Sequence, residues 1–178
     1  LHPFCHAGAR WQAPWRTGGT IDAAGPAVRN PAMADPTDIY HWHRLDGRIT
    51  TSGQPTEAQL GALAAIGVRC VINLAPHEGR FALPGEAEKV RALGMEYLNI
   101  PVDFAAPTED DFTAFAAAMR RLEGEAVHVH CAANYRVSAF LARYRRDVLG
   151  LPEAEARAHL AGIWSPNPVW AAFIDRRP

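Results

Sequence analysis

Cys131 follows the apolar run Ala126-Val127-His128-Val129-His130, and Arg136 comes after four intervening residues. The order is strand end, short loop, then the start of an amphipathic helix. A cysteine placed there lies where unpaired backbone N–H groups and the helix dipole favour negative charge, and so favour the thiolate. An arginine at the start of the helix can aim its planar guanidinium into the same ring of donors. The segment Ala132, Ala133, Asn134, Tyr135 and Arg136 therefore reads as a phosphate-binding cradle with a nucleophile at its base. Phosphate-ester chemistry is the direct implication. Cys131 attacks phosphorus to form a phospho-cysteine, while loop N–H groups and Arg136 hold the equatorial oxygens. The reaction calls for no metal and no organic cofactor. It does call for a proton donor to the leaving oxygen, and Asp103, in a loop just past a strand, is the candidate acid. Ser138 can assist breakdown of the intermediate by hydrogen-bonding the sulfur or the attacking water.

Each of these residues also has a plainer reading. A cysteine after a strand is often a small core residue, and only its combination with His130 and Arg136 points to reactivity. Asp103 reads equally as a solvated loop acid. Glu109, Asp110 and Asp111 are first-turn acids that complement a helix dipole. Arg143, Arg145 and Arg146 are expected on the solvated face of their helix, and Cys70 in the core. His41 and His43 alternate along a predicted strand and share a face, as a structural pair rather than a metal site. His128 is expected to pack or hydrogen-bond. Glu78, Arg80 and Glu86 either border a substrate pocket or form surface ion pairs.

The elements that must position the cysteine alternate short apolar runs with helical periods, the pattern of an α/β domain. Residues 38–44 and 48–52 read as strands joined by an Asp46-Gly47 turn. A helix starting at Pro55-Thr56-Glu57 presents Leu60, Leu63 and Ala64 on one face and stops at Gly67. Residues 68–74 form a β-rich run of the kind buried in a parallel sheet. A helix over 85–93 ends at Gly94, and a strand over 95–102 follows. Thr108 caps a helix whose stripe is Phe112, Phe115, Ala116 and Met119. After the strand 126–130, a helix buries Val137, Phe140, Leu141, Tyr144 and Val148. Two more helices are expected near 152–162 and 168–175. The fold class is α/β, with a central, mostly parallel sheet of four to five strands flanked by helices. Ligands of such sheets bind beyond the carboxyl ends of the strands. Cys131, Asp103 and the loop 75–80 all lie at such ends.

The chain has 178 residues with 48% hydrophobic content, which suits one globular domain, expected over 38–178. A net charge of −1 gives no general attraction to nucleic acid or anionic membrane. No run approaches the roughly 20 apolar residues needed to span a bilayer. Three widely spaced cysteines make no disulfide framework and suggest a reducing, cytoplasmic setting. Residues 1–37 read as a disordered extension, with Met33 as an alternative start or an Arg-bearing presequence as a further option. His2, Cys5 and His6 fall within it and are assigned no site.

Residues 39–146 resemble the cysteine-dependent protein tyrosine and dual-specificity phosphatases through ITTSGQPTEAQL, VRCVINLAPHEG, GMEYLNIPVDF and VHCAANYRVSAF. They are most similar to a bacterial branch related to the N-terminal domain of β-lactamase-hydrolase-like proteins. The resemblance implies a phosphatase-type fold, Cys131 as nucleophile, Arg136 as the phosphate-binding arginine and Asp103 as the acid. It also implies that His130 tunes the cysteine from the preceding position. Substrates would be phosphorylated proteins or small phosphomonoesters. The usual signature has five residues between cysteine and arginine, often with glycine among them. Here there are four and no glycine, so Asn134 is the residue best able to take any positive φ. A loop of this length is also what rhodanese-type sulfurtransferases use. Sulfur transfer, and phosphate binding with little turnover, are therefore the alternative activities.

Overall fold

Leu60 and Leu63, the apolar pair of the first predicted helix, are fully buried against one face of a five-stranded sheet. The computed structural model describes residues 33–177, so the expectations for residues 1–32 lie outside the described residues. The strands are β1 (His43–Arg44), β2 (Ile49–Ser52), β3 (Cys70–Asn73), β4 (Glu96–Asn99) and β5 (Val127–His130). The helices are α1 (Glu57–Ala65), α2 (Glu86–Ala92), α3 (Glu109–Arg121), α4 (Tyr135–Asp147), α5 (Glu153–Ala161) and α6 (Pro168–Asp175). The sheet order is β1-β2-β5-β3-β4. β2, β5, β3 and β4 run parallel, and only β1 is antiparallel to its neighbour. This is the α/β class expected, at the upper strand count.

Alternation along the strands divides the core into two layers. Val71 faces the α1–α2 side with Leu60, Leu63, Val90 and Met95. Cys70 and Ile72 face the other side with Val127, Val129 and residues of α3, α4 and α6. On that second side Phe115, Phe140, Trp170 and Phe173 are fully buried. Their rings meet edge-on or offset at 4.9–6.2 Å, the arrangements aromatic quadrupoles favour. Helix starts follow local chemistry. Thr56 and Thr108 each accept from the backbone three residues on, and Gln59 and Asp111 return a bond to the cap backbone.

Two expectations need correction. The strand read over 38–44 shrinks to His43–Arg44, because His41 has φ of 50° and the chain turns there. His41 and His43 therefore do not share a strand face. Arg143 does not lie on a solvated face, being 1% exposed, and Arg145 and Arg146 are half-buried. The cause is tertiary. Phe112 of α3 and Phe173 of α6 approach the Arg143 guanidinium at 4.0 and 4.7 Å, and Glu109 accepts two hydrogen bonds from it at 2.9 Å. Among the described residues no helix is long and apolar enough to cross a membrane.

Candidate active site

The strand register sets the carboxyl ends of four parallel strands side by side, with Ser52 beside His130 and His130 beside Asn73, which pairs Asn99. Each chain continues from that edge into a loop, and one of these begins with Cys131. Cys131 is a free thiol, 1% exposed. The residues between it and α4 are held from outside. Gln54 N donates to Ala132 O at 3.2 Å, and the His41 ring Nδ1 donates to Ala133 O at 3.0 Å. In a trans peptide a fixed carbonyl turns the next N–H to the opposite side, so the Ala133 amide points away from Gln54. Gly53 allows this approach: a Cβ there would lie 2.9 Å from Ala132 O.

Asn134 takes the left-handed conformation at φ 65°, as expected of the loop's best non-glycine candidate. It is the N-cap residue of α4, yet its side chain makes no cap hydrogen bond. The amide instead donates to His41 O at 2.8 Å and Thr51 Oγ1 at 3.0 Å. The first intrahelical bond of α4 is Ser138 N to Asn134 O, so the amides of Tyr135, Arg136 and Val137 have no intrahelical acceptor. An uncapped helix terminus thus faces the cysteine loop, a setting suited to an anion.

Arg136, in the first turn, has no carboxylate within ion-pair distance among the described residues, and its buried Nε has no partner there. Its guanidinium lies 5.2 Å from the Phe104 ring centre. Arg136 and Ala132 line a cavity of about 190 Å³ together with Gln54, Pro76, Arg80 and Phe81. Glu78 and Arg80 border this cavity.

Asp103 is exposed, and its Oδ1 accepts from Ala105 N at 2.9 Å. It lies outside the cavity lining, although its neighbour Phe104 packs against Arg136. Ser138 is buried, donating its hydroxyl to Tyr135 O at 3.0 Å and accepting from Trp164 Nε1 at 3.1 Å. His130 is fully buried. Its Nε2 lies 3.1 Å from Glu86 Oε1, outside hydrogen-bond alignment. His128 bridges Thr50 Oγ1 at 3.0 Å and Ser52 Oγ at 2.9 Å, and burial followed by the His130 charge pushes it well below the ordinary histidine range.

Glu86 fits neither alternative read for it, since it is buried away from the cavity lining and forms no surface ion pair among the described residues. It is 4% exposed and accepts from Gln54 Nε2 at 2.6 Å, Asn73 Nδ2 at 2.8 Å and Tyr97 OH at 2.9 Å. Burial alone would raise its carboxyl. The contacts with His130, Gln54 and Tyr97 outweigh that and hold it below the ordinary carboxylate value. Nothing local signals this network, because its members come from four loops and strands.

A family model for the dual-specificity type phosphatase (DSP-PTPase) fused to NAD+ kinase matches residues 33–161. The chain belongs to this family. This DSP-PTPase-type chain is 33% identical over 129 residues to a β-lactamase hydrolase-like protein of Xylella fastidiosa, covering 67% of the chain and 28% of the relative. A β-lactamase hydrolase-like protein of Agrobacterium fabrum is 35% identical over 96 residues, or 52% of the chain and 22% of the relative. The chain thus spans about a quarter of the length of the curated relatives it matches. Among solved structures, a DUF442 protein of Shewanella putrefaciens CN-32 superposes with a TM-score of 0.70 at 36% identity, covering 78% of this chain and 91% of that one. PTPMT1 superposes at 0.61 with 25% identity, covering 75% and 90%. The phosphatase-type fold and the resemblance read from the sequence are both borne out.

Proposed function

We propose that this phosphatase-family chain hydrolyses phosphomonoesters through a phospho-cysteine on Cys131. The observation that carries the reading is Arg136, a cation without an acidic partner among the described residues, on a cavity beside an uncapped helix terminus. That is a site built to receive an anion. In the first step the Cys131 sulfur attacks phosphorus in line, the P–O bond to the leaving group breaks, and Asp103 gives its proton to the departing oxygen. In the second, water attacks phosphorus, passes a proton to the Asp103 carboxylate, and the P–S bond breaks to release orthophosphate and the thiolate. Arg136 and the amides of the loop hold the equatorial oxygens in both steps. His130 supports the cysteine from behind, and Ser138 holds the first turn of α4 through the Tyr135 carbonyl. Substrates would be phosphorylated proteins or small phosphomonoesters. TpbA of P. aeruginosa, which shares the fold, has been solved with pTyr, and PTPMT1 with PI(5)P. The test is turnover of an aryl phosphate by wild type and Cys131→Ser, with mass spectrometric trapping of the phosphorylated cysteine in the wild type. Equal turnover by the two proteins ends the covalent mechanism.

A second reading is sulfur transfer, and a specific observation favours it. The Asp103 carboxylate accepts from Ala105 N and the Ser138 hydroxyl is engaged elsewhere, and a persulfide route uses neither. There Cys131 would attack the outer sulfur of thiosulfate, release sulfite, and pass the sulfur from its persulfide to cyanide as thiocyanate. Thiocyanate formation that Cys131→Ser abolishes, with no phosphate release, selects this reading. Orthophosphate binding without either turnover indicates a phosphate-binding module.

A further inference from the structure

The carboxyl ends of three parallel strands, and Tyr97 inside the fourth, are tied to one buried carboxylate. Glu86 sits in the first turn of α2, and its two oxygens receive the Gln54 amide from the loop after β2, Asn73 from the end of β3, and Tyr97 from β4. His130, the last residue of β5, completes the set at 3.1 Å. Asn73 is itself fully committed. Its Oδ1 accepts from Ala75 N at 2.7 Å, its amide also reaches Tyr97 OH at 3.1 Å, and its backbone carbonyl accepts from Asn99 at 3.0 Å.

Two of these tethers lead directly to the cysteine loop. His130 is the residue before Cys131. Gln54 holds Ala132 O with its backbone N–H and Glu86 with its side chain, so one residue links the carboxylate to the cradle. Gln54 and Ala132 also line the cavity. The loop 76–83, which forms the opposite wall through Pro76, Arg80 and Phe81, leads straight into α2 and so ends on the same anchor.

A buried ionised group is costly unless each lone pair is met, and here the donors come from β4 and from the ends of the three strands beside it. We propose that Glu86 is a positioning residue for the anion site, fixing His130 and Gln54 so that the Cys131 loop and the 76–83 wall keep the spacing a phosphoryl group requires. The inference rests on the anion-cradle reading of that loop. Glu86 touches no substrate. It acts through His130, which precedes Cys131, and Gln54, which holds the Ala132 carbonyl. A carboxylate is also the side chain that meets this geometry. It has acceptors only, whereas a glutamine in its place would turn an NH2 group toward at least one of the donors.

The experiment is calorimetric titration of orthophosphate into wild type, Glu86→Gln and Tyr97→Phe, with the thermal midpoint of each protein measured beside it. All titrations are run at a temperature where every variant is folded by circular dichroism. The expected result is orthophosphate binding by wild type, at least tenfold weaker binding by folded Glu86→Gln, and a few-fold weakening in Tyr97→Phe, which removes one tether and leaves the cavity wall intact. Where Glu86→Gln does not fold, Tyr97→Phe and Gln54→Ala carry the test with the same expected direction. A purely structural carboxylate would lower the thermal midpoints and leave phosphate affinity unchanged, and that outcome overturns the proposal. Absence of orthophosphate binding by wild type instead removes the anion-cradle reading, and the proposal with it.

Discussion

The side-chain amide of Asn134 donates to the backbone carbonyl of His41 at 2.8 Å. Among the described residues these are the only two non-glycine positions with positive φ, at 65° and 50°. The His41 ring returns a hydrogen bond to Ala133 O. Two strained residues, distant in sequence, therefore hold each other beside the cysteine loop, which is where backbone strain is usually retained.

Separating the strain from the hydrogen bonds gives the first prediction. Asn134→Gly keeps the left-handed conformation at low cost but loses the contacts to His41 and Thr51, so a loss of about 1–2 kcal/mol is expected. Asn134→Ala loses the contacts and keeps the strain, for about 1 kcal/mol more. Urea unfolding of the three proteins measures both steps. Equal stability of the Gly and Ala variants would show that the loop does not depend on this conformation.

Acid stability provides a second prediction. Burial first, then the charges of His43 and Arg145, lower His159 from 6.5 to about 3, and His128 is likewise pushed well down. A histidine that binds its proton less readily when folded contributes fully above its unfolded value. That contribution is lost as pH falls below 6.5 toward the folded value. Between pH 6.5 and 5 His159 costs about 2 kcal/mol, and His128 adds a loss of the same sign. Glu86 does not enter this window, because a carboxyl held below its ordinary 4.5 loses its contribution only at lower pH. His159→Gln should flatten the pH dependence of the urea midpoint by about one proton. An unchanged slope in that variant would remove His159 from the account.

Much of the scaffold was legible because its causes are local. Thr108 and Asp111 form a capping box within one turn, and Phe112, Phe115, Ala116 and Met119 fall on one face by helical period alone. Asn134 was legible as the loop's positive-φ residue because few other side chains tolerate it. Arg143 was not, since charge in a helix normally signals solvent and only the rings of α3 and α6 explain its burial. Glu86 was misjudged for the same reason: its partners lie 11 to 32 residues away, on β3, β4 and the loop after β2. His41 broke a pattern that looked like a strand, because its backbone is set by the loop it clamps rather than by its neighbours in sequence.

Arg143 itself supports a third prediction. Its guanidinium lies against Phe112 and Phe173 and pairs with Glu109, which is half exposed. Removing the arginine leaves Glu109 able to hydrate, and Asp147, 3.6 Å from Arg143 Nε, stays paired with Arg146, so the cost is mainly lost packing and cation–π contact, about 2–3 kcal/mol for Arg143→Ala. Glu109→Gln removes an exposed partner and should cost about 1 kcal/mol or less. Arg143→Met, which keeps the stem among the rings, should fall between them. Urea midpoints rank the three, and a Glu109→Gln loss exceeding that of Arg143→Ala would show that charge rather than packing dominates.

Gly53 offers the sharpest separation of cradle geometry from fold stability. It pairs with Ala133 across an isolated bridge, and its N–H donates to Tyr40 O at 2.7 Å. Its φ is ordinary, so an alanine there meets no backbone strain. The obstacle is space, because the added methyl would sit 2.9 Å from Ala132 O and 3.0 Å from the Tyr40 ring. Tyr40 is more than half exposed and its ring can swing outward, whereas Ala132 O is backbone and can move only with the loop. Gly53→Ala should therefore displace the Ala132 carbonyl, break its bond from Gln54, and rotate the Ala133 amide that the same peptide carries. The expected result is a loss of orthophosphate affinity of at least tenfold with a stability loss of only about 1–2 kcal/mol, read by calorimetry and urea unfolding. Retention of full affinity would mean that the loop holds its shape without the Gly53 approach, and the clamp from β2 would carry no function.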